Sequence, residues 1–281
     1  MSSKKATFLL LLLFGGLALP LLAPAQQAPV IPDVFQLGSD DGPNPQDVSL
    51  TLKILFLMTI LSLLPSIAIM ATSFIRISIV LGFVRRAIGT QQTPSNEIIV
   101  GLALFLTFYI MTPVFEEINN NAIQPYMNNQ IPALNPGDVD AYGKIVAERM
   151  PPFYVMLQRS LIPLRDFMWE QIGTQGANDV GVMMAIARMN KPESMNDVPT
   201  HVLIPAFMIS ELKKAFMMGF MIFIPFLILD IVTSSVLISM GMFQLPPAFI
   251  SLPFKILLFV LVDGWSVLVR SLGESFFQNM S

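Results

Sequence analysis

The sequence predicts an all-α membrane protein built of helical hairpins, with a small helical region on the exported side of the membrane. Hydrophobic residues make up 54% of the 281 residues and charged residues only 12%, whereas charged residues are about a quarter of a soluble domain. The hydrophobic residues form long charge-free runs, which are typical of membrane helices. The formal charge of −3, without a basic cluster, predicts no nucleic-acid partner.

The beginning of the chain has the pattern of a cleaved signal peptide, residues 1–25. Two lysines precede an apolar core from Phe8 to Leu22, and the Ala-Pro-Ala sequence that ends at Ala25 is typical of a signal-peptidase site. We expect cleavage before Gln26. An uncleaved first membrane helix is the alternative, and the prolines around the core disfavour it. Residues 26–50, rich in Pro, Gln, Gly and Asp, are predicted to form a flexible exported tail.

Residues 51–115 are predicted to form a first hydrophobic helical hairpin. The charge-free run from Ile54 to Ile75 has 22 residues, which suffices for the roughly 20 that a membrane-spanning helix needs. A second run of 18 uncharged residues extends from Ile98 to Phe115. Arg85 and Arg86 lie between the runs, and the positive-inside tendency places their loop in the cytoplasm.

Residues 116–200 are more polar, with ten acidic and six basic residues, and are predicted to form the exported-side helical region. Apolar residues recur at three- and four-residue steps from Phe153 to Ile172, which predicts an amphipathic helix. A second short helix is predicted from Asp179 to Met189. These helices either pack on neighbouring subunits or on the long second hairpin, or form a small autonomous domain.

Residues 201–281 are predicted to form that second, longer hairpin. Helices from about Pro205 to Met240 and from Pro247 to about Phe277 would each exceed 30 residues, or ~45 Å, against a hydrocarbon core of ~30 Å. We therefore expect the hairpin to extend beyond the bilayer or to pack within an assembly. Between the helices, residues 239–248 are apolar but carry a glycine and two prolines, so they are predicted to form a re-entrant turn that seals a pore.

Five ionisable residues are embedded in apolar sequence: Arg76, Glu211, Asp230, Lys255 and Asp263. Each is costly in lipid, so we expect them to face protein or water. Contacts between helices or subunits are the favoured interpretation, and a proton or small-ion path through a channel or transporter is the alternative function. Because Asp230 and Lys255 lie at comparable distances from the turn, a hairpin is expected to bring them together.

The sequence shows no pattern of an enzyme. It has no cysteine and a single histidine, His201, and it lacks hydrolase, metal-ligand and phosphate-binding motifs. We therefore predict no catalytic residue, no cofactor and no metal.

Five stretches resemble one family closely. They are residues 72–82, 102–109, 210–213, 223–230 and 252–265, which read TSFIRISIVLG, LALFLTFY, SELK, FIPFLILD and LPFKILLFVLVDGW. They look like the FliP family of flagellar biosynthetic proteins, the export-gate subunits of type III secretion. The resemblance covers nearly everything after Leu50, while residues 116–200 match weakly.

The resemblance implies a multimeric helical channel. About five copies would assemble with two smaller membrane proteins, FliQ-like and FliR-like, in the flagellar basal body at the bacterial inner membrane, largely raised toward the periplasm. Membrane lipid and other export-apparatus proteins would surround it, and unfolded flagellar subunits would pass through. Glu211 would lie in subunit contacts.

The resemblance also implies a methionine-rich loop that forms a gasket in the pore, here at Met240, Met242, Phe243 and Gln244. Family members often have consecutive methionines at these positions. Because this chain has a phenylalanine and a glutamine after Met242, we expect closure by bulk and apolarity rather than by three methionine rings.

Overall fold

The computed structural model describes residues 45–90, 93–174, 176–190, 197–242 and 244–277. The predicted signal peptide and its cleavage site at Ala25 and Gln26 lie outside the described residues, as do most of the predicted tail and Phe243. Within the described ranges the chain is helical, with two isolated β-bridges and no β-strand. The predicted all-α class is confirmed.

The chain divides into two compact units, residues 1–65 and 66–281. Helix α1, Pro45–Met70, provides the described part of the first unit and the start of the second. The charge-free run that predicts a helix as far as Ile75 is therefore interrupted earlier. The hydroxyl of Thr72 donates a 2.9 Å hydrogen bond to the carbonyl of Ile69, and such local bonds compete with helical ones.

The second unit continues with two helices of equal length, 15 residues each: α2 (Phe74–Ile88) and α3 (Asn96–Ile110). Gly89 ends α2 with a φ of 80°, and its N–H donates to the carbonyl of Arg85. Glycine suits this left-handed position because it has no Cβ. The buried face of α2 contains Ile77, Val80, Leu81 and Val84. Helix α2 packs against α3 and against the long helix α8 (Thr200–Ser239).

The region predicted to lie on the exported side begins within α4 (Thr112–Ile118) and continues with a π-helical turn (Asn119–Ile123) and α5 (Gln124–Met127). An irregular segment then leads to α6 (Pro152–Ile172), which occupies the predicted amphipathic stretch, and to α7 (Ala177–Ile186). Both α6 and α7 pack against the long helix α8. Their core is therefore shared with the second hairpin.

The second hairpin consists of α8 (Thr200–Ser239), α9 (Pro247–Leu261) and α10 (Gly264–Phe277). The prediction of one continuous helix beyond Pro247 is wrong, because the chain bends by 62° between α9 and α10. Asp263 has a φ of 50° at the bend. At Gly264 a Cβ would lie 2.3 Å from the Phe259 ring, so glycine permits the close approach.

Helix α8 has 40 residues and is the one described helix that is long and apolar enough to cross a membrane by itself. Two bent pairs, α3 with Thr112–Met127 and α9 with α10, bring the total to three if each pair is one span. The core of the second unit lies between α2, α3, α6, α8 and α10, where buried aliphatic and aromatic side chains meet. Much of α8 stays outside this core.

Candidate functional site

A buried ion pair lies at the centre of the second unit, between α2 and α8. The Nε of Arg76 donates a 2.8 Å hydrogen bond to Oε2 of Glu211, and Nη2 donates to Oε1 of the same carboxylate. The two side chains are 1% and 0% exposed. This two-bond geometry matches the planar guanidinium to the carboxylate, which offsets part of the cost of burying both charges.

The remaining donors of Arg76 connect the pair to α6 and α10. Nη1 donates to the carbonyl and the hydroxyl oxygen of Ser275, both at 3.0 Å. Nη2 also donates to Oε1 of Gln171 at 2.9 Å. The guanidinium carbon lies 3.8 Å from the ring centre of Phe276. We call these four residues, together with Glu211, the arginine cluster; it joins four helices.

Two lysines of α8 extend the polar network toward α6 and α7. Nζ of Lys214 donates to the carbonyl of Gln171 at the end of α6. Lys213 forms an ion pair with Asp179 of α7. One bond connects α8 to α6 and the other connects α8 to α7, so polar contacts as well as apolar packing fix the orientation of α6 and α7 on α8.

A second polar group connects α8 to α9. Its residues lie before and after the turn that joins the two helices. Nζ of Lys255 donates to Oδ2 of Asp230 at 2.6 Å, and the two side chains are 9% and 35% exposed. The hydroxyl of Ser251 donates to Oδ1 of Asp230 at 2.7 Å. Spacing from the turn predicts the contact between Asp230 and Lys255, and the structure brings these residues together.

Asp263 takes part in neither group. It lies exposed at the bend between α9 and α10, away from the two ion pairs. The structure therefore brings four of the five embedded charges into two pairs and leaves the fifth at a helix break.

The turn predicted to form the pore seal is non-helical from Met240 to Pro246 in its described part. The N–H of Gly241 donates to the carbonyl of Ile238, and that of Met242 donates to the carbonyl of Leu237, both at 3.0 Å. These bonds end α8 with Gly241 at a φ of 74°. Met240, Met242 and Gln244 are exposed. The described part of the loop therefore presents its side chains outward.

Several residues of these sites are not predicted from the sequence. Gln171 occupies a position on the apolar face of α6, beside the buried Met168 and Ile172. A polar residue in such an apolar stripe could have indicated a buried polar contact. Ser275 and Ser251 carry no comparable signal, because serines are common in membrane helices and here act through single oxygen atoms.

Burial raises the pKa of two carboxyl groups on the outward part of α6. The Asp166 pKa is raised by burial and lowered in part by the Arg165 guanidinium. Burial raises the Glu170 pKa, and the neighbouring Asp166 and Glu117 carboxylates raise it further. Folding therefore disfavours ionisation of this pair of residues.

Glu170→Gln is expected to raise the melting temperature at pH 7 and above. A carboxyl whose pKa is raised on folding binds more protons in the folded state, so stability falls as pH rises from about 4. The amide avoids that loss, and the difference from the wild type should disappear below about pH 4. Thermal unfolding from about pH 3 to about pH 8 measures the difference. Glu148→Gln removes an exposed charge in the same region and is the matched control; an equal gain there would contradict the local explanation.

Among the residues that the structure describes, no group of three His, Asp or Glu side chains is placed to hold a metal ion. The ionisable groups of the two pairs bond to each other and to neighbouring oxygens instead. The arrangement is that of a scaffold that holds helices in register.

Comparison with known proteins identifies the family of this chain. The FliP family model matches residues 57–272. The flagellar biosynthetic protein FliP of Bacillus subtilis (strain 168) is 51% identical over 233 residues, which cover 83% of this chain and 95% of that protein. The FliP of Borreliella burgdorferi is 42% identical over 230 residues, with 82% and 83% covered, and that of Treponema denticola is 40% identical over 253 residues, with 90% and 85% covered. The chain therefore belongs to the FliP family.

Proposed function

We propose that this chain is a core channel subunit of the flagellar type III export gate, and that it passes unfolded flagellar subunits across the bacterial inner membrane. The matched relatives are named as flagellar biosynthetic proteins. The observation that carries the proposal is the long apolar helix α8, which one bilayer and one copy of the chain do not cover.

Helix α8 has 40 residues, which is ~60 Å at 1.5 Å per residue, against a hydrocarbon core of ~30 Å. Exposed apolar side chains nevertheless continue along most of its length: Phe216, Met217, Phe220, Met221, Ile224, Leu227, Ile228, Ile231, Val232, Val236 and Ile238. The part that extends beyond lipid would leave a large apolar surface in water, which favours coverage by other subunits.

Further copies of the same chain are the simplest source of that coverage, because each brings an identical hairpin. We propose about five copies around a central pore, completed by the FliQ-like and FliR-like subunits and joined by other export-apparatus proteins. The assembly would lie in the inner membrane, within the flagellar basal body, with much of its mass toward the periplasm.

The turn between α8 and α9 would form the gasket of that pore. Repeated around an axis, Met240, Met242, Phe243 and Gln244 form a ring with apolar bulk, and methionine side chains adapt to a passing chain of varied shape. The hydrogen bonds that Lys255 and Ser251 donate to Asp230 hold α8 against α9. The hairpin would therefore support the loop, whose side chains would adapt to the passing chain.

The embedded charges support a scaffold more than an ion path. Arg76 and Glu211 are buried and bonded to each other, and Asp230 is bonded to Lys255. A proton relay needs carboxylates or histidines aligned through the membrane, whereas Asp263 lies alone at a helix bend. We assign these residues to contacts between helices or between subunits and propose no catalytic role for the chain.

A gasket variant tests the proposal. Replacing Met242 and Phe243 with glycine should leave secretion possible but let ions leak, because the ring loses its apolar bulk. Conductance of the purified complex in a planar bilayer measures the leak, and light scattering should give about five copies of this chain per complex. Met127→Gly, at an exposed methionine of α5, is the control. Unchanged conductance with an intact complex would contradict the gasket role, and a stable monomer would contradict the proposed channel.

A further inference from the structure

A cleft between α2 and α3, separate from the ion pairs and the loop, has the composition of an anion site. Its volume is 430 Å³, and Arg85 and Arg86 from the last turn of α2 line it opposite Asn96, Ile99 and Val100 of α3. It lies where the chain turns from one helix to the next, at an end of both.

The two arginines are not neutralised by an ion pair within the described ranges. The guanidinium carbon of Arg86 lies 4.5 Å from the ring centre of Phe83, a stacked contact that leaves its N–H groups available. Glu97, exposed in the first turn of α3, influences Arg85 electrostatically but forms no ion pair with it among these residues. The cleft therefore has an excess of positive charge and of hydrogen-bond donors.

An apolar stripe leads away from the cleft along α3. Val100 lines the cleft, and Leu104 follows it one turn later on the same face; both are exposed. Because α3 begins a candidate broken span that continues through Thr112–Met127, the cleft lies at an end of that span. A basic cleft followed by an exposed apolar stripe matches an amphiphile with an anionic head.

We propose that this cleft binds the phosphate headgroup of an anionic phospholipid, with an acyl chain along Val100 and Leu104. Guanidinium groups form paired hydrogen bonds with phosphate oxygens, and the Asn96 amide adds a neutral donor. The end of a membrane span is the depth at which headgroups lie. The inference depends on the chain's being in a membrane and does not depend on its role in export.

The test compares lipid retention in the purified full-length protein. Native mass spectrometry after exchange into detergent with added lipid should show that phosphatidylglycerol is retained over phosphatidylcholine. The Arg85→Gln, Arg86→Gln double variant should weaken retention of phosphatidylglycerol about thirtyfold, since each basic residue near an anionic lipid surface contributes about fivefold. The control is Arg149→Gln with Arg270→Gln, which removes the same charge at two exposed positions.

A lysine variant controls for loss of folding. Arg85→Lys with Arg86→Lys keeps the charge and loses the paired hydrogen bonds, so its retention of phosphatidylglycerol should fall between the wild type and the glutamine variant. Equal retention of the two lipids by the wild type, or retention unchanged in the glutamine variant, would overturn the proposal. Displacement of lipid by millimolar inorganic phosphate would show a free-anion site instead and would overturn the assignment to lipid.

Discussion

Arg76→Met is expected to lower the free energy of unfolding by ~3–5 kcal/mol, the cost of removing one partner from a buried ion pair. The substitution leaves the Glu211 carboxylate fully buried without its guanidinium. It also removes the donors to Ser275 and Gln171, so acceptors on α6 and α10 lose their bonds as well. The melting temperature should fall on the order of 10 °C, measurable by circular dichroism in detergent.

Two comparisons make the Arg76 prediction specific. Arg270→Met, at an exposed position on α10, should change the free energy of unfolding by less than about 0.5 kcal/mol. The double variant Arg76→Met, Glu211→Met should recover part of the loss, because no unpaired charge remains buried. If the single Arg76 variant were as stable as the Arg270 variant, the arginine cluster would not be a stabilising contact.

Gly219→Val is expected to be the most damaging single change on α8 outside the arginine cluster. A Cβ at Gly219 would lie 2.4 Å from Cδ2, 2.5 Å from Cγ and 3.0 Å from Cβ of Phe83. The obstacle includes the root of the Phe83 side chain, which also packs edge-on against Phe216 at 5.5 Å, so α2 and α8 must separate. Overpacking of this kind costs about 1–3 kcal/mol for added methylenes, and valine adds three carbon atoms.

The alanine series tests the steric explanation of the Gly219 result. Gly219→Ala gains about 1 kcal/mol of helix propensity, so its net effect should be smaller than that of valine but still destabilising. In a Phe83→Ala background the same substitution should become stabilising, because the ring is gone. Gly181→Ala in α7, where nothing lies within 4 Å, is the control. Thermal unfolding of these variants and of the Phe83→Ala background measures the effects, and a stabilised Gly219→Val would contradict the close packing.

The apolar runs, and the glycines and prolines that interrupt them, predict much of the helical architecture. Predominantly apolar sequence predicts α8 as a helix longer than a bilayer is thick. Gly241 and the prolines that follow it predict its end at the turn. Comparable distances from that turn predict the contact of Asp230 with Lys255. All three are local inferences, because the chain segments involved are joined directly. The division into regions 51–115, 116–200 and 201–281 stays a prediction.

The arginine cluster is beyond local inference. Arg76 and Glu211 are 135 residues apart, and no period in the sequence relates them. The bend at Asp263 is also missed, since apolar residues continue on both sides and the determinant is a contact between Gly264 and the Phe259 ring. The break after Met70 depends on hydroxyl bonds of the kind formed by Thr72, which hydropathy does not register.

The separation within the arginine cluster has a consequence for how the protein is made. At about 5–20 residues per second, ribosomes need on the order of 10 s to add the 135 residues between Arg76 and Glu211. During that delay α2 carries an arginine without its carboxylate, and hydrocarbon strongly disfavours such a group. We therefore expect helix α2 to stay at the membrane surface or in water until α8 has been made, so that this part of the chain reaches its final place only after synthesis of a later segment.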